Sequence, residues 1–214
     1  ISHDLSTVSY ISEVVNVMYL GRIVESAPTE QILADPKHPY TEALVSAIPV
    51  PDPHYDRERT EMSGAPRDPV DLGEGCRFRD RCPSVIPPDD LEIPQAAYRE
   101  VIAFRERLAR DDLSLDRVRA ELDDPTDTDA FATALREEYF NHDLTGENDA
   151  VLDTALSALA AGDGDRAGDL LRGRFESVCE QTPADVTTDD EWTVACHYYD
   201  DDTQMEEKRV PTTD

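Results

Sequence analysis

Basic residues are scarce in this chain. Against 48 Asp and Glu stand 20 Lys and Arg in 214 residues, a formal charge of −28. A surface this negative repels nucleic acid, because a polyanion is bound by Lys and Arg that displace its counterions. It equally disfavours an anionic membrane surface. Long apolar runs are missing. None approaches the ~18–20 residues needed to cross a bilayer, and the opening residues show no basic stretch followed by an apolar one, so no export signal is read. Cysteine is limited to four residues, none in a C-x-x-C pair. No G-x-x-x-x-G-K-S/T occurs either, so the chain has no backbone cradle for nucleotide phosphates and no lysine placed to reach them.

What is there divides by composition. The apolar share of 39% suffices for a packed core. The acid is spread along most of the chain and is rich in Asp. A solvated surface in a high-salt organism fits this better than an acidic tail or a site for basic partners. At molar salt the screening length falls to about 3 Å and self-repulsion becomes tolerable.

Residues 1–49 read as ordered. Ile1 to Ser6 looks like a strand end and helix start, which leads to the expectation of a preceding segment. Ser6 to Ile11 predicts a short helix. Val14 to Leu20 is a β-branched and aromatic run, Gly21 can turn the chain, and Ile23-Val24 continues, so a hairpin is predicted. Thr29 is a candidate cap for a helix over Glu30–Ala34 that stops before Pro36. Pro39 suits the first turn of another helix, with Tyr40, Ala43, Leu44, Ala47 and Ile48 on one face. Residues 50–95 are dense in proline and weakly periodic. Residues 96–175 carry five helical patterns, among them Ala97, Val101, Phe104 and Leu108, with Ser114 as a candidate cap and Gly162 and Gly164 closing the fourth. This predicts a small acidic helical bundle. Residues 176–199 read as short and irregular, and 200–214 as a frayed tail.

His3 stands in a strand-to-helix corner, where it can be packed or can donate to a phosphate oxygen. Taken in order, the ISHDL opening, the VVNVMYLGRIVESAP hairpin, the HPYTEALVSAIPVPDP stretch and GCRFRDRCP (Gly75 to Pro83) are similar to the C-terminal part of the ATP-binding subunits of oligopeptide, dipeptide and nickel ABC importers. The resemblance covers residues 1–88 and 176–199. It implies an α+β fragment: the end of a P-loop ATPase α/β domain over 1–49, a Pro-rich extension with the first Cys pair over 50–95, an acidic helical insertion over 96–175, and the second Cys pair over 176–199. It implies that His3 is the switch histidine, which contacts the γ-phosphate of ATP. Positioning and charge stabilisation at the transferring phosphoryl would be its task. It implies membrane permease subunits and a second ATPase subunit as partners and a place on the cytoplasmic face of the cell membrane; together with the dispersed acid, a halophilic archaeal source is expected. The ATP and Mg²⁺ of such a subunit would need motifs that are absent from this chain.

Cys76 and Cys82 have five residues between them, Cys179 and Cys196 sixteen. On spacing alone, four unrelated buried thiols compete with a shared metal site. All four lie in irregular segments that need a staple, and a reducing compartment disfavours disulfides. The resemblance adds that some relatives ligate a [4Fe–4S] cluster with Cys at these four positions, the last followed by His as in Cys196-His197. Fe–S ranks ahead of Zn²⁺, and Zn²⁺ ahead of no metal. His197 is a candidate substitute ligand or packing residue, His38 a structural residue or partner contact, and Trp192 a cover for the site or a residue of its small core. Two functions follow: the C-terminal portion of a peptide-importing ATPase subunit, or a stand-alone metal-binding module derived from one.

Overall fold

The computed structural model describes residues 1–3, 5–48, 60, 62, 66, 70, 72–184, 186–189 and 191–200. Residues 1–3 form no strand. The first helix, α1, runs Leu5–Ile11. In β1 (Val14–Tyr19), Val15, Val17 and Tyr19 are buried and the residues between them face outward. That period of two is what a half-buried strand requires. Leu20 and Gly21 both take positive φ, 45° and 80°, a turn whose twist suits a tight hairpin. The chain returns as β2 (Arg22–Pro28), longer than the Ile23-Val24 expected, with a bulge between Val17 and Met18.

The four-residue strands β3 (Val186–Asp189) and β4 (Trp192–Ala195) correct the expectation that 176–199 is irregular. Their β-branched runs are separated by acidic residues, which reads as a loop. β4 pairs antiparallel with β2, Glu25 opposite Val194, and the sheet order is β1-β2-β4-β3. One edge of the hairpin is thereby covered, as an edge strand otherwise invites foreign pairing.

Two short helices pack against this sheet. In α2 (Thr29–Ala34) Thr29 is the first helical residue and Pro28 occupies the cap position, a correction. The Thr29 hydroxyl instead donates to Ser12 O at 2.6 Å. α3 (Pro39–Ser46) starts at its proline as expected, and its cap is His38, whose Nδ1 accepts from Tyr40 N at 3.1 Å. Glu25, in the middle of β2, is completely buried. One carboxylate oxygen accepts from Lys37 N and Trp192 Nε1, both at 2.8 Å, and the other from His38 N at 3.0 Å. Three donors compensate a burial that would be prohibitive for an unpartnered carboxylate. Val15, Val17, Tyr19, Ile32, Val45 and Phe78 form the adjoining core, with Trp192 against it.

Contacts divide the chain into two units, Ile1–Ser84 with Cys179–Asp214, and Val85–Val178. The second contains five helices: α4 (Gln95–Ala109), α5 (Leu115–Ala120), α6 (Thr128–Tyr139), α7 (Gly146–Ala160) and α8 (Gly164–Phe175). Their period of 3.6 buries Val101, Phe104, Phe131, Leu135, Leu156 and Leu171. Ser114 holds the cap position of α5 without a side-chain capping bond, while Asp127 caps α6 from its own side chain. Tyr98 Oη and Arg105 Nη1 donate to Phe175 O at 3.0 and 2.9 Å, satisfying a carbonyl at the end of α8. Ser177 Oγ donates to Ile86 O at 2.5 Å, so the first and last residues of this unit lie together. A last short helix, α9 (Val178–Gln181), carries Cys179. Among the described residues no helix is long and apolar enough to cross a membrane. The tail expected over 200–214 lies outside the described residues after Asp200.

Candidate functional site

The two cysteine-bearing segments meet at a glycine. Gly75 has φ +82°, and a Cβ there would run into Cys179 O and, at 2.6 Å, Glu180 O. Only a residue without a side chain admits so close an approach in that backbone region. One residue on, Cys76 N donates to Cys179 O at 2.7 Å. The loop that follows is braced by arginines. Arg79, almost fully buried, donates to Glu74 O at 2.6 Å and Cys76 O at 3.0 Å, and Arg77 donates to Leu20 O at the hairpin turn.

None of the four cysteines is in a disulfide, and all belong to the first unit. Their thiols interact. Burial foremost, and then the sulfurs of Cys179, Cys196 and Cys76, push the Cys82 thiol well above the usual range. Burial, followed by the sulfurs of Cys179 and Cys76, likewise raises Cys196. Burial also raises Cys76. Against this, backbone amides donate to the sulfurs: Phe78 N and Arg79 N to Cys76, Ser84 N to Cys82, Tyr198 N to Cys196. Amides aimed at sulfur stabilise a thiolate. Burial prevails over these amides at Cys76, Cys82 and Cys196, so the amides would favour thiolates only with a cation bound among the sulfurs. Among the described residues, no group of three or more His, Cys, Asp or Glu side chains could hold a metal ion in its present arrangement.

The histidines have separate duties. His197 is buried directly after Cys196, its Nδ1 2.6 Å from Asp200 Oδ2 and its Nε2 3.0 Å from Thr182 O. Both ring nitrogens are engaged, so the ring serves as a clamp on the strand end rather than as a substitute ligand. His38 is buried against Phe78, and desolvation pushes its pKa down to about 3. It stays neutral near pH 7, as its acceptor role at Tyr40 N requires. Trp192 packs against the core cluster that Cys76 and Cys82 also border; its indole N–H satisfies Glu25 and the Lys37 ammonium lies 4.2 Å from its ring centroid. His3 is exposed just before α1. Sequence reasoning passed over Glu25, since a lone Glu in a strand reads as solvated. It also passed over Gly75, whose only signal is its residue type.

Residues 24–87 match the family model described as the oligopeptide/dipeptide transporter, C-terminal region. Residues 95–192 match a domain of unknown function (DUF8228), which begins with α4 and ends at the start of β4. Relatives bear the names of ATP-binding proteins of peptide import. A Brucella ovis protein named for peptide import ATP binding is 50% identical over 101 residues, 47% of this chain and 31% of its own. The dipeptide transport ATP-binding protein of Haemophilus influenzae is 50% identical over 82 residues, 38% of this chain and 25% of its own. A Bacillus subtilis protein named for oligopeptide transport ATP binding is 44% identical over 97 residues, 44% of this chain and 30% of its own. The chain thus spans less than a third of the length of these relatives. No solved structure matches.

The close approach at Gly75 yields a direct expectation. Gly75→Ala must shift the Cys179–Glu180 backbone and strain a left-handed residue, at about 2–4 kcal/mol. Denaturant unfolding of the whole chain measures it, and an unchanged midpoint would contradict the approach described.

Proposed function

We propose that this chain is the C-terminal portion of the ATP-binding subunit that powers ATP-driven import of peptides across the cytoplasmic membrane. The observation that carries the reading is the transporter C-terminal match over 24–87, which falls on residues from β2 through the His38-capped helix to the Cys76–Cys82 loop. The names of the relatives support it. In this reading His3 faces the γ-phosphate of ATP, whose Mg²⁺ and phosphate loop come from sequence outside these 214 residues. Permease subunits and a second ATPase subunit are the partners, and the protein works peripherally at the cytoplasmic face. Deleting the codons for this chain from the genome should abolish ATP-dependent uptake of a labelled short peptide, and a plasmid copy should restore it. Uptake that survives the deletion would remove the assignment.

Cys76, Cys82, Cys179 and Cys196 would hold a [4Fe–4S] cluster, with Zn²⁺ as the runner-up. One tetrahedral Zn²⁺ needs sulfurs about 3.8 Å apart, from Zn–S bonds near 2.3 Å. The thiols interact, but among the described residues no group of three or more is arranged to hold a metal ion, so the preference for the cluster rests on the resemblance of the four positions. Bound, the cluster would supply positive charge to the thiolates and one-electron chemistry. The chain's own part is to aim amides at the sulfurs and to lock the two segments at Gly75. Anaerobic purification should give a broad band near ~400 nm with iron and sulfide in equal amounts. A colourless protein with one zinc selects the runner-up, and one without metal dismisses both.

The distributed −28 charge supports adaptation to high salt, while the relatives named above are bacterial. Screening of self-repulsion then raises the thermal midpoint between dilute and molar NaCl. A flat or falling midpoint speaks against salt adaptation.

A further inference from the structure

Most of this chain repels anions, with 48 acidic residues against 20 basic. One cleft in the first unit departs from that rule. Arg22 and Arg77 line it together with Cys76 and the apolar Ile23, Ala184 and Ala195, and among the described residues no acidic side chain lines it. The two arginines are placed by the hairpin turn. Arg22 directly follows Leu20-Gly21, and Arg77 is pinned there by its bond to Leu20 O. Of the four cysteines only Cys76 lines the cleft, while Cys179 is buried. Neighbouring cations concentrate anions at an opening even when the molecule as a whole is negative, because the local field decides close encounters.

We propose that this cleft is the route by which small solutes reach the four-thiol site, that Cys76 is the first thiol they meet, and that Arg22 and Arg77 select anions, the class that includes low-molecular-weight thiolates. The proposal stands whether the thiols hold a cluster, zinc or nothing, so its failure is distinct from failure of the metal reading.

The test uses the whole chain, reduced and metal-free, at fixed ionic strength. Two methanethiosulfonate probes of similar size are compared, one carrying a sulfonate and one a trimethylammonium group. In each reaction the Cys76 thiolate attacks the sulfenyl sulfur, a disulfide forms and methanesulfinate leaves. Rates are normalised to those of 2-mercaptoethanol, and the labelled residue is located by peptide mass mapping. Cys76 should be labelled first, and the sulfonate probe should react about fivefold faster than the cationic one. Cys76→Ser should remove the fast phase. Arg22→Glu, an exposed substitution checked for fold by circular dichroism, should reverse the preference, and Arg22→Gln should level it. Labelling of another cysteine first, a preference for the cationic probe in the unaltered chain, or a ratio indifferent to both Arg22 substitutions would overturn the proposal.

Discussion

The carboxylate of Glu25 is enclosed by protein, and the first unit is organised around satisfying it. Its three donors come from positions 37, 38 and 192, two of them backbone amides just ahead of α3 and one an indole N–H on β4. A charge without water must find partners with fixed geometry. The hairpin, the His38-capped helix and the late strand are therefore held to one carboxylate. The pairing of β4 with β2 sets Val194 opposite Glu25 itself, so strand register and carboxylate satisfaction are one constraint.

From this frame the cysteine segments follow. β4 ends at Ala195, which delivers Cys196, and the His197 clamp holds the turn beyond it. The hairpin turn receives Arg77, which anchors the loop that begins at Cys76. Gly75 then closes that loop on Cys179. Each thiol is thus positioned by a backbone element rather than by its own packing, and the amides that point at sulfur belong to those same elements.

Local patterns were legible and distant ones were not. The β1–β2 hairpin, α3 and the helices over 95–175 follow from alternation, a well-placed proline and 3.6-residue repeats, all carried within a few residues. β4 finds its partner across the whole helical unit, Glu25 and Trp192 being 167 positions apart. Its four-residue signal, flanked by acids, gives no hint of that partner. The four cysteines stood out by residue type. Their meeting depends on the positive φ of Gly75, which the sequence expresses only as a glycine in a glycine-containing loop. His3 is a similar case: its surroundings within this chain leave it exposed, and its assigned role comes from resemblance.

Ser177 bonded to Ile86, and Tyr98 bonded to Phe175, bring the entrance and exit of the helical unit side by side. A segment whose two ends are neighbours presents its host with a gap no wider than a tight connection, however many residues it contains. Loop-closure entropy is then settled inside the segment rather than charged to the site it interrupts. Cys82 and Cys179, which flank this segment, are thus far apart in sequence while their thiols interact.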